Sequence, residues 1–363
     1  MSLFCFFWEE TLVNIDPRPL PDRLDADPQF TGKGTTLALV DSGFWPHPDL
    51  VQPYNRITAW VDAADDFVNA IRFGPNTLPD WPGAHAGAAF KWHGLMTSTV
   101  AAGNGWLSAG MYRGLASEAR VVLVRARDAR GHINNGTIVR ALRWLLHHRE
   151  EINLRVVSLS VGGEWVTPLA GNAVDESVHA LIDAGVCVVS AAGNDGLRSL
   201  VPPATAPRGI TVGGVDDKGD VDPQARQLWH SNYGAAVAGA FKPDLVAPSV
   251  WVPAPVLPYS AVAIEAEALF KRLAHGDLSA QDRITELRLL TPHYQHVEGT
   301  SFAAPMVASV LVCMLEANPA LTPEQGKSIL MQTAQLLADA PRERQGAGVV
   351  NAGAAMRTAH ATR

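Results

Sequence analysis

Short apolar runs recur along the chain, and amphipathic stretches lie between them. Each run has the length of a buried strand, and the stretches between repeat their apolar side chains at helical spacing. Strands that alternate with helices predict a mainly parallel central sheet with helices on both faces, which is a three-layer α/β/α fold. The predicted strands are 35–40, 120–124, 155–160, 186–190, 210–215 and 244–247, and the predicted helices are 91–103, 136–148, 174–184 and 322–337.

One segment, 259–290, departs from this alternation. Val262, Leu269 and Leu273 fall on one helical face, and a second helix begins at Ser279 with a pattern that resembles a capping box. We therefore expect a helical hairpin, inserted at about 254–296. Residues before 34 are rich in Pro and Asp, which indicates an irregular lead-in, and 55–90 is loop-rich. The predicted plan is an extension at 1–33, one domain at 34–356 and a tail at 357–363.

The most apolar run, 306–315, follows the segment Gly299–Pro305 and predicts a helix buried on most of its circumference. The run is too short to span a bilayer. Ser301 would lie on the first turn, where free backbone N–H groups and the helix dipole stabilise negative charge on a reacting oxygen. Taken alone, the same position fits an N-capping serine better.

Composition and charge exclude several classes of protein. An apolar content of 47% suffices for a core, and 36 acidic against 29 basic residues argue against a nucleic-acid or anionic membrane partner. Cys5, Cys187 and Cys313 are few and far apart, which indicates buried free thiols rather than disulfides or a metal site. Residues 1–10 lack the features of a secretory signal. We expect a cytoplasmic protein, or a secreted one if its N-terminus has been trimmed.

Two polar residues lie where regular elements end or begin. Asp41 follows the first strand, at the edge where parallel sheets collect functional groups, although a turn-forming role is as good an interpretation. His93 lies at the N-terminal edge of a helix, so as a base it would need a carboxylate to balance its charge. Asp62, Asp65 and Asp66 form an acidic cluster, for which solvated or capping roles are favoured over cation binding.

The chain order Asp41, His93, Ser301 belongs to one group of hydrolases. Together with several motifs in the same order, it resembles the subtilisin-like serine proteases (subtilases, peptidase family S8) over roughly 32–355. The motifs are Leu39-Val40-Asp41-Ser42-Gly43, His47-Pro48-Asp49-Leu50, His93-Gly94, Ser160-Val161-Gly162-Gly163, Ala191-Ala192-Gly193-Asn194, Gly299-Thr300-Ser301-Phe302-Ala303-Ala304-Pro305 and Gly348-Val349-Val350-Asn351-Ala352.

The resemblance implies a subtilisin-like fold and a serine endopeptidase that acts through an acyl-enzyme intermediate. Ser301 would be the nucleophile, His93 the general base and then acid, and Asp41 the group that orients His93. Asn194 would donate to the oxyanion together with the Ser301 backbone N–H.

The resemblance also implies a substrate-binding cleft for protein or peptide substrates, which would bind as an extended strand. No cofactor is required for the chemistry. Structural calcium stays open, with Asp49 as the only matching ligand candidate, so the metal ligands are unknown. The implied substrate-binding residues are Ser160, Val161, Gly162, Gly131, Ala192 and Gly193.

Two alternatives to an active peptidase fit the sequence less well. A catalytically silent peptide-binding relative would usually lack at least one of Asp41, His93, Asn194 and Ser301, and all four are present. An esterase of the α/β-hydrolase type would carry a Gly-x-Ser-x-Gly elbow, which is absent around Ser301. We also hypothesise that Leu3–Trp8, or the Pro-rich stretch after it, lies near the cleft and inhibits it. A leader that packs elsewhere is an equal alternative.

Overall fold

A mainly parallel sheet forms the centre of the protein. The computed structural model describes residues 17–65, 68–74, 77, 90–128, 130–165, 171–236 and 239–363. The strands are β1 Thr36–Asp41, β2 Ile57–Asp62, β3 Asn69–Arg72, β4 Arg120–Arg125, β5 Leu154–Leu159, β6 Cys187–Ala191, β7 Ile210–Asp216, β8 Gln227–Leu228, β9 Gly234–Ala235, β10 Phe241–Lys242, β11 Leu245–Pro248, β12 Val252–Pro255, β13 Leu289–Thr291 and β14 Tyr294–Val297.

Helices cover both faces of this sheet. They are α1 Leu20–Arg23, α2 Pro48–Val51, α3 Trp92–Ala102, α4 Asn135–His148, α5 Ala173–Asp183, α6 Ala261–Ala274, α7 Ala280–Glu286, α8 Thr300–Ala317, α9 Pro323–Thr333, α10 Arg342–Gln345 and α11 Ala352–Ala361, with short 3-10 helices at Trp106–Ser108 and Pro223–Ala225.

The order of strands in the main sheet is β11-β7-β6-β5-β1-β4-β2-β3, with β8 paired to β7. All of these pairings are parallel except those of β3 and β8. Side chains along β1 point alternately to the two faces, as strand geometry requires. Leu37 and Leu39 pack in the core that contains α3 and α8, whereas Ala38 and Val40 pack in the core that contains α4 and α5. The predicted three-layer α/β/α fold is confirmed.

Helix α8 runs through the larger core and is longer than the apolar run that predicted it. It starts at Thr300 and continues to Ala317, which gives it the length and composition of a membrane-spanning helix. Of its residues, 89% are buried inside the domain. It is therefore enclosed by the fold that surrounds it, as the sequence predicts for a core helix.

The insertion contains more than the predicted helical hairpin. Helices α6 and α7 are present and share a small apolar core with Val256 and Leu289. Strands β12, β14 and β13 form an additional antiparallel sheet that the sequence did not predict, because the two prolines of β12 suggest a loop. Ser279 is the N-cap residue of α7, as predicted, but the expected capping bond is missing because its hydroxyl donates to Asp277 instead. Ser260 caps α6, accepting from the N–H of Ala263.

Four predictions about where elements lie differ from the structure. The loop-rich stretch after residue 55 contains β2 and β3. The lead-in is packed on the domain from residue 17, because Arg23 is buried and forms two hydrogen bonds to Asp217. At the other end α11 extends to Ala361, so most of the proposed tail is helical, and α9 ends at Thr333, before the predicted end. The proposed inhibitory segment Leu3–Trp8 lies outside the described residues.

The two described cysteines match the prediction of buried free thiols. Cys187 and Cys313 are both unpaired and buried. Burial raises the pKa of the Cys187 thiol to about 12. Such a thiol stays protonated and inert at neutral pH. Cys5 lies outside the described residues.

Candidate active site

The candidate site lies at one edge of the central sheet. β6, β5 and β1 are adjacent and parallel, so their carboxyl ends meet at this edge. Asp41 is the last residue of β1, Ser160 follows β5, and Asn194 lies three residues beyond β6. The sheet topology thus brings together three residues that are far apart in the sequence.

His93 reaches this edge because α3 starts close to the loop after β1. It is the second residue of α3, and Gly94 follows it. A Cβ atom on Gly94 would lie 2.0 Å from the carbonyl oxygen of Gly43, which no side chain tolerates. The glycine therefore permits the close approach that places His93 against Asp41.

Asp41 and His93 are directly hydrogen-bonded. The Nδ1 atom of His93 lies 2.8 Å and 2.9 Å from the two carboxylate oxygens of Asp41. Asp41 is buried and also accepts from the Ser42 N–H at 2.6 Å and the Thr97 hydroxyl at 2.9 Å. Since a carboxylate only accepts, Nδ1 must carry the proton, which leaves Nε2 of His93 as the basic nitrogen.

The environment of His93 sets its proton affinity. Burial lowers the pKa of His93. The charge of Asp41 and the hydrogen bond from His93 to Asp41 together raise it by more, so the pKa lies above the ordinary value. The His93 side chain remains 22% exposed, so the ring is accessible from one side. The ring of Phe302 lies 5.8 Å away between centroids, which places His93 beside the start of α8.

Ser301 is the second residue of α8, and Gly299 occupies the cap position with a φ of 135°. The N-capping interpretation of Ser301 is therefore wrong. Ser301 is half-buried at the N-terminus of an 18-residue helix, among backbone N–H groups that lack helical acceptors. Within the described part of the chain the Ser301 hydroxyl has no hydrogen-bond partner. This is compatible with a catalytic role, because hydrogen bonds between catalytic groups are often long when no substrate is bound.

Asn194 is fixed against this helix start by Thr300. Its side-chain oxygen accepts from the Thr300 N–H at 2.9 Å and from the Thr300 hydroxyl at 2.8 Å. These bonds occupy the amide oxygen and leave the NH₂ group of the exposed side chain as the available donor.

A proline in α8 explains how Ser160 contacts the candidate nucleophile. Pro305 has no N–H, so the carbonyl of Ser301, four residues earlier, lacks its helical donor. The Ser160 hydroxyl donates to that carbonyl at 2.7 Å. One hydrogen bond therefore joins the end of β5 to the first turn of α8.

The other proposed substrate-binding residues lie at three places. Val161 is buried and Gly162 exposed directly after β5. Ala192 is buried, and the Gly193 N–H donates to the Thr300 hydroxyl at 3.1 Å. Gly131 lies in the turn after β4, where an added Cβ would contact the ring of Phe90. Their substrate-binding roles stay predictions.

Sequence reasoning missed two residues that support the site, Thr97 and Thr300. Thr97 follows His93 by four residues, so both lie on the same face of α3, and this spacing could have identified it. Thr300 precedes the candidate nucleophile, but its bonds to Asn194 bridge 106 positions and leave no local signal.

The insertion lies beside the site. β14 ends at Val297, four residues before Ser301, and the ring of Tyr259 lies 5.9 Å from that of Trp45 in the loop after β1. The Tyr294 hydroxyl lies 2.9 Å from both carboxylate oxygens of Asp49. The insertion therefore packs against the loop that follows Asp41.

The candidate calcium ligands have protein partners. Asp49 is fully buried and holds the Tyr294 hydroxyl, and Asp62 forms a bidentate pair with Arg125. Among the described residues no three His, Cys, Asp or Glu side chains cluster as a metal site would require. The Asp49 carboxylate is thus already hydrogen-bonded within the protein, and structural calcium stays an untested expectation. Asp66 lies outside the described residues.

A parallel α/β sheet with a buried Asp–His pair at its edge, near the first turn of a buried helix that carries a serine, is an arrangement typical of serine hydrolases. The family model of the subtilases (peptidase S8) matches residues 32–348. This chain therefore belongs to the subtilase family of serine-type peptidases.

The named relatives are proteases. Serine protease AprX of Bacillus subtilis is 29% identical over 337 residues, which is 89% of this chain and 66% of AprX. M-protease of Shouchella clausii is 27% identical over 90% of this chain and 66% of its own length. Subtilisin Savinase of Lederbergia lenta is 27% identical over 90% of this chain and 93% of Savinase. The chain thus spans just under two thirds of AprX and M-protease.

A solved structure supports the fold. A chain described as a protease from Pseudoalteromonas arctica superposes with a TM-score of 0.64, at 22% identity, over 94% of this chain and 93% of that one. At this identity the likeness establishes the subtilisin-like architecture.

Proposed function

We propose that this protein is a serine endopeptidase that hydrolyses peptide bonds through an acyl-enzyme intermediate. The observation that carries the proposal is the bond between His93 Nδ1 and the buried Asp41, which leaves Nε2 basic beside the helix of Ser301. An alcohol is a poor nucleophile until a base removes its proton. Family membership supplies independent support.

In the proposed reaction the Ser301 oxygen attacks the peptide carbonyl while His93 Nε2 takes the hydroxyl proton. Asp41 stabilises the imidazolium, which then protonates the departing amine. Water, activated by the same imidazole, attacks the acyl-enzyme and releases the second product. Each proton taken by His93 is returned, so the site is regenerated.

The tetrahedral oxyanion would be stabilised at the start of α8. The Asn194 NH₂ group and the Ser301 backbone N–H are the proposed donors, and the positive end of the helix adds to them. Because Thr300 fixes the amide of Asn194 in advance, little reorganisation is needed when charge develops. Removal of such a donor costs about 10²–10³ in kcat, a figure measured on a subtilisin.

Active-site labelling tests the proposal. A fluorophosphonate should phosphonylate Ser301 with loss of fluoride, and a peptide blocked at both ends should be cleaved. Ser301→Ala should abolish both, whereas Ser328→Ala, which removes an exposed serine on α9, should abolish neither. An unlabelled wild-type protein, or equal labelling of Ser301→Ala, contradicts the proposal.

A further inference from the structure

A cation–π pair, Arg127 and Phe90, lies near Asp41 and His93 and takes no part in the proposed reaction. The guanidinium carbon of Arg127 lies 3.8 Å from the centroid of the Phe90 ring. Arg127 follows β4 by two residues, and Arg125, the last residue of β4, is the register partner of Asp41. Arg127 therefore lies at the same edge of the sheet as the Asp41–His93 pair.

Phe90 is tied to that pair through the backbone. Its carbonyl accepts from the Ser42 hydroxyl at 3.1 Å, and Ser42 also donates its N–H to Asp41. Phe90 precedes His93 by three residues and is 44% exposed. A Cβ on Gly131, a proposed substrate-binding residue, would lie 3.4 Å from the ring of Phe90 and 3.8 Å from Nη1 of Arg127. The pair thus lies between His93 and a wall of the proposed cleft.

Nearby acids do not neutralise Arg127. Asp62 is engaged by Arg125 in a bidentate pair, and the carboxylate of Asp128 accepts from the backbone N–H groups of Arg130 and His132 at 2.9 Å and 2.8 Å. Within the described residues Arg127 forms no hydrogen bond or ion pair, and its buried Nε atom lacks a partner. The side chain of Arg127 is half-buried, so its other N–H groups are open to solvent and available to a bound anion.

The local field also favours an anion. Burial lowers the pKa of Lys91, and the nearby charges of Arg125 and Arg127 lower it further. Burial and the charge of Arg125 likewise lower the pKa of Arg127, while the charges of Asp62 and Asp128 raise it by less. These cations therefore repel one another, and a carboxylate placed among them would relieve that repulsion.

We infer that Arg127, stacked on Phe90, is the specificity-determining residue of a subsite that binds an acidic side chain of the peptide substrate. The phenyl ring covers one face of the guanidinium and holds its plane, so the N–H edges remain available. That planar edge matches the two oxygens of an Asp or Glu carboxylate. The inference rests on the proposed function for its peptide substrate.

Matched peptides with Glu or Gln at each of the four positions before the cleaved bond test the inference. At one position the wild type should prefer Glu by roughly tenfold in kcat/KM, and the preference should shrink at high salt. Arg127→Gln should abolish this preference, and Arg127→Glu should reverse it in favour of Gln. Arg130→Gln, which removes an exposed charge from the same turn, should leave it unchanged.

Binding separates this inference from the proposed function. The Kd values of the same peptides are measured on Ser301→Ala, with and without Arg127→Gln. If the wild-type protein cleaves none of these peptides while Ser301→Ala shows a preference for Glu that depends on Arg127, the peptidase function is contradicted and the subsite is supported. Equal cleavage and equal binding of the Glu and Gln peptides at every position, or no peptide binding, would overturn the subsite.

Discussion

Asp41 and Asp49 are both buried carboxylates beside a histidine, and the two pairs differ in what approaches the imidazole. Nδ1 of His93 lies 2.8 Å and 2.9 Å from the carboxylate oxygens of Asp41 and is hydrogen-bonded to them. Nδ1 of His47 lies 3.3 Å from a carboxylate oxygen of Asp49, but its hydrogen bond is to the backbone: it accepts from the Asp49 N–H at 3.2 Å and so caps α2. The two rings therefore carry their protons on opposite nitrogens.

The Asp41–His93 and Asp49–His47 pairs also differ in the solvent exposure of the histidine. The His93 side chain is 22% exposed, whereas that of His47 is 1% exposed. The Asp49 carboxylate is sealed by the Tyr294 hydroxyl. An Asp and a His in contact thus form a base only when Nδ1 donates and Nε2 is accessible, and otherwise they support the fold.

The largest expected effect is the loss of catalytic rate in the variant Asp41→Asn. The amide can donate to Nδ1 and stabilise the wrong tautomer of His93, so kcat should fall about 10⁴-fold while the fold is retained. Peptide hydrolysis measures the loss, and circular dichroism checks the fold. Asp49→Asn is the matched control and should reduce kcat much less. Comparable losses in both variants would contradict the division between the two pairs.

The next largest effect is on the stability of the fold and concerns the His47–Asp49 pair. Tyr294→Phe leaves the buried Asp49 carboxylate without its hydroxyl donor, so the free energy of unfolding should fall by about 2 kcal/mol. Urea denaturation measures it. Tyr259→Phe, in the same insertion but 79% exposed, should change stability little. Equal stabilities of the two variants would show that the Tyr294 bond contributes nothing.

The third effect is on the pH dependence of the first pair. His93 must be neutral to act as a base, and its pKa is raised, so the acidic limb of kcat/KM should lie above the ordinary histidine pKa. Residual activity of Asp41→Asn should show this limb at lower pH. Because the folded-state pKa of His93 is raised, the pair stabilises the fold below the unfolded pKa. That stabilisation is lost as pH rises through the folded pKa. An acidic limb that does not move would contradict the coupling.

The smallest effect tests whether Ser301 is supported independently of both pairs. Ser160→Ala removes the donor to the Ser301 carbonyl and should lower the free energy of unfolding by about 1 kcal/mol. Pro305→Ala restores a backbone N–H four residues after Ser301, so Ser160→Ala should cost less in that background. A double-mutant cycle measures the coupling. Additive effects would show that the proline does not create the need for Ser160.

Local patterns predicted most of the fold, and non-local contacts account for what they missed. Apolar runs identified β1, β4, β5 and β6 within a residue or two, because buried strands are nearly continuous in apolar side chains. β12 was missed because its prolines suggest a loop, and its pairing with β14 depends on residues 39 positions away or more. A sequence shows propensity but not which distant strand will pair.

The same division applies to the candidate site. Motifs identified Asp41, His93, Asn194 and Ser301, and the topology brings them to one region, although their chemical roles stay predictions. The contact between Tyr294 and Asp49 spans 245 positions, so no local pattern could reveal it. The stacking of Arg127 on Phe90 depends likewise on the meeting of β4 with the segment before α3.

The pairing of β12 with β14 means that most of the insertion could be replaced without disturbing the central sheet. Pro255 and Tyr294 are partners on adjacent antiparallel strands, so the chain leaves and returns at neighbouring points. A tight turn of two residues can join such partners, and it would retain Tyr294 while removing α6, α7 and β13. The same junction could accept a foreign domain close to the cleft, which gives a protein engineer one defined site for exchanging the surroundings of Ser301 without rebuilding the sheet.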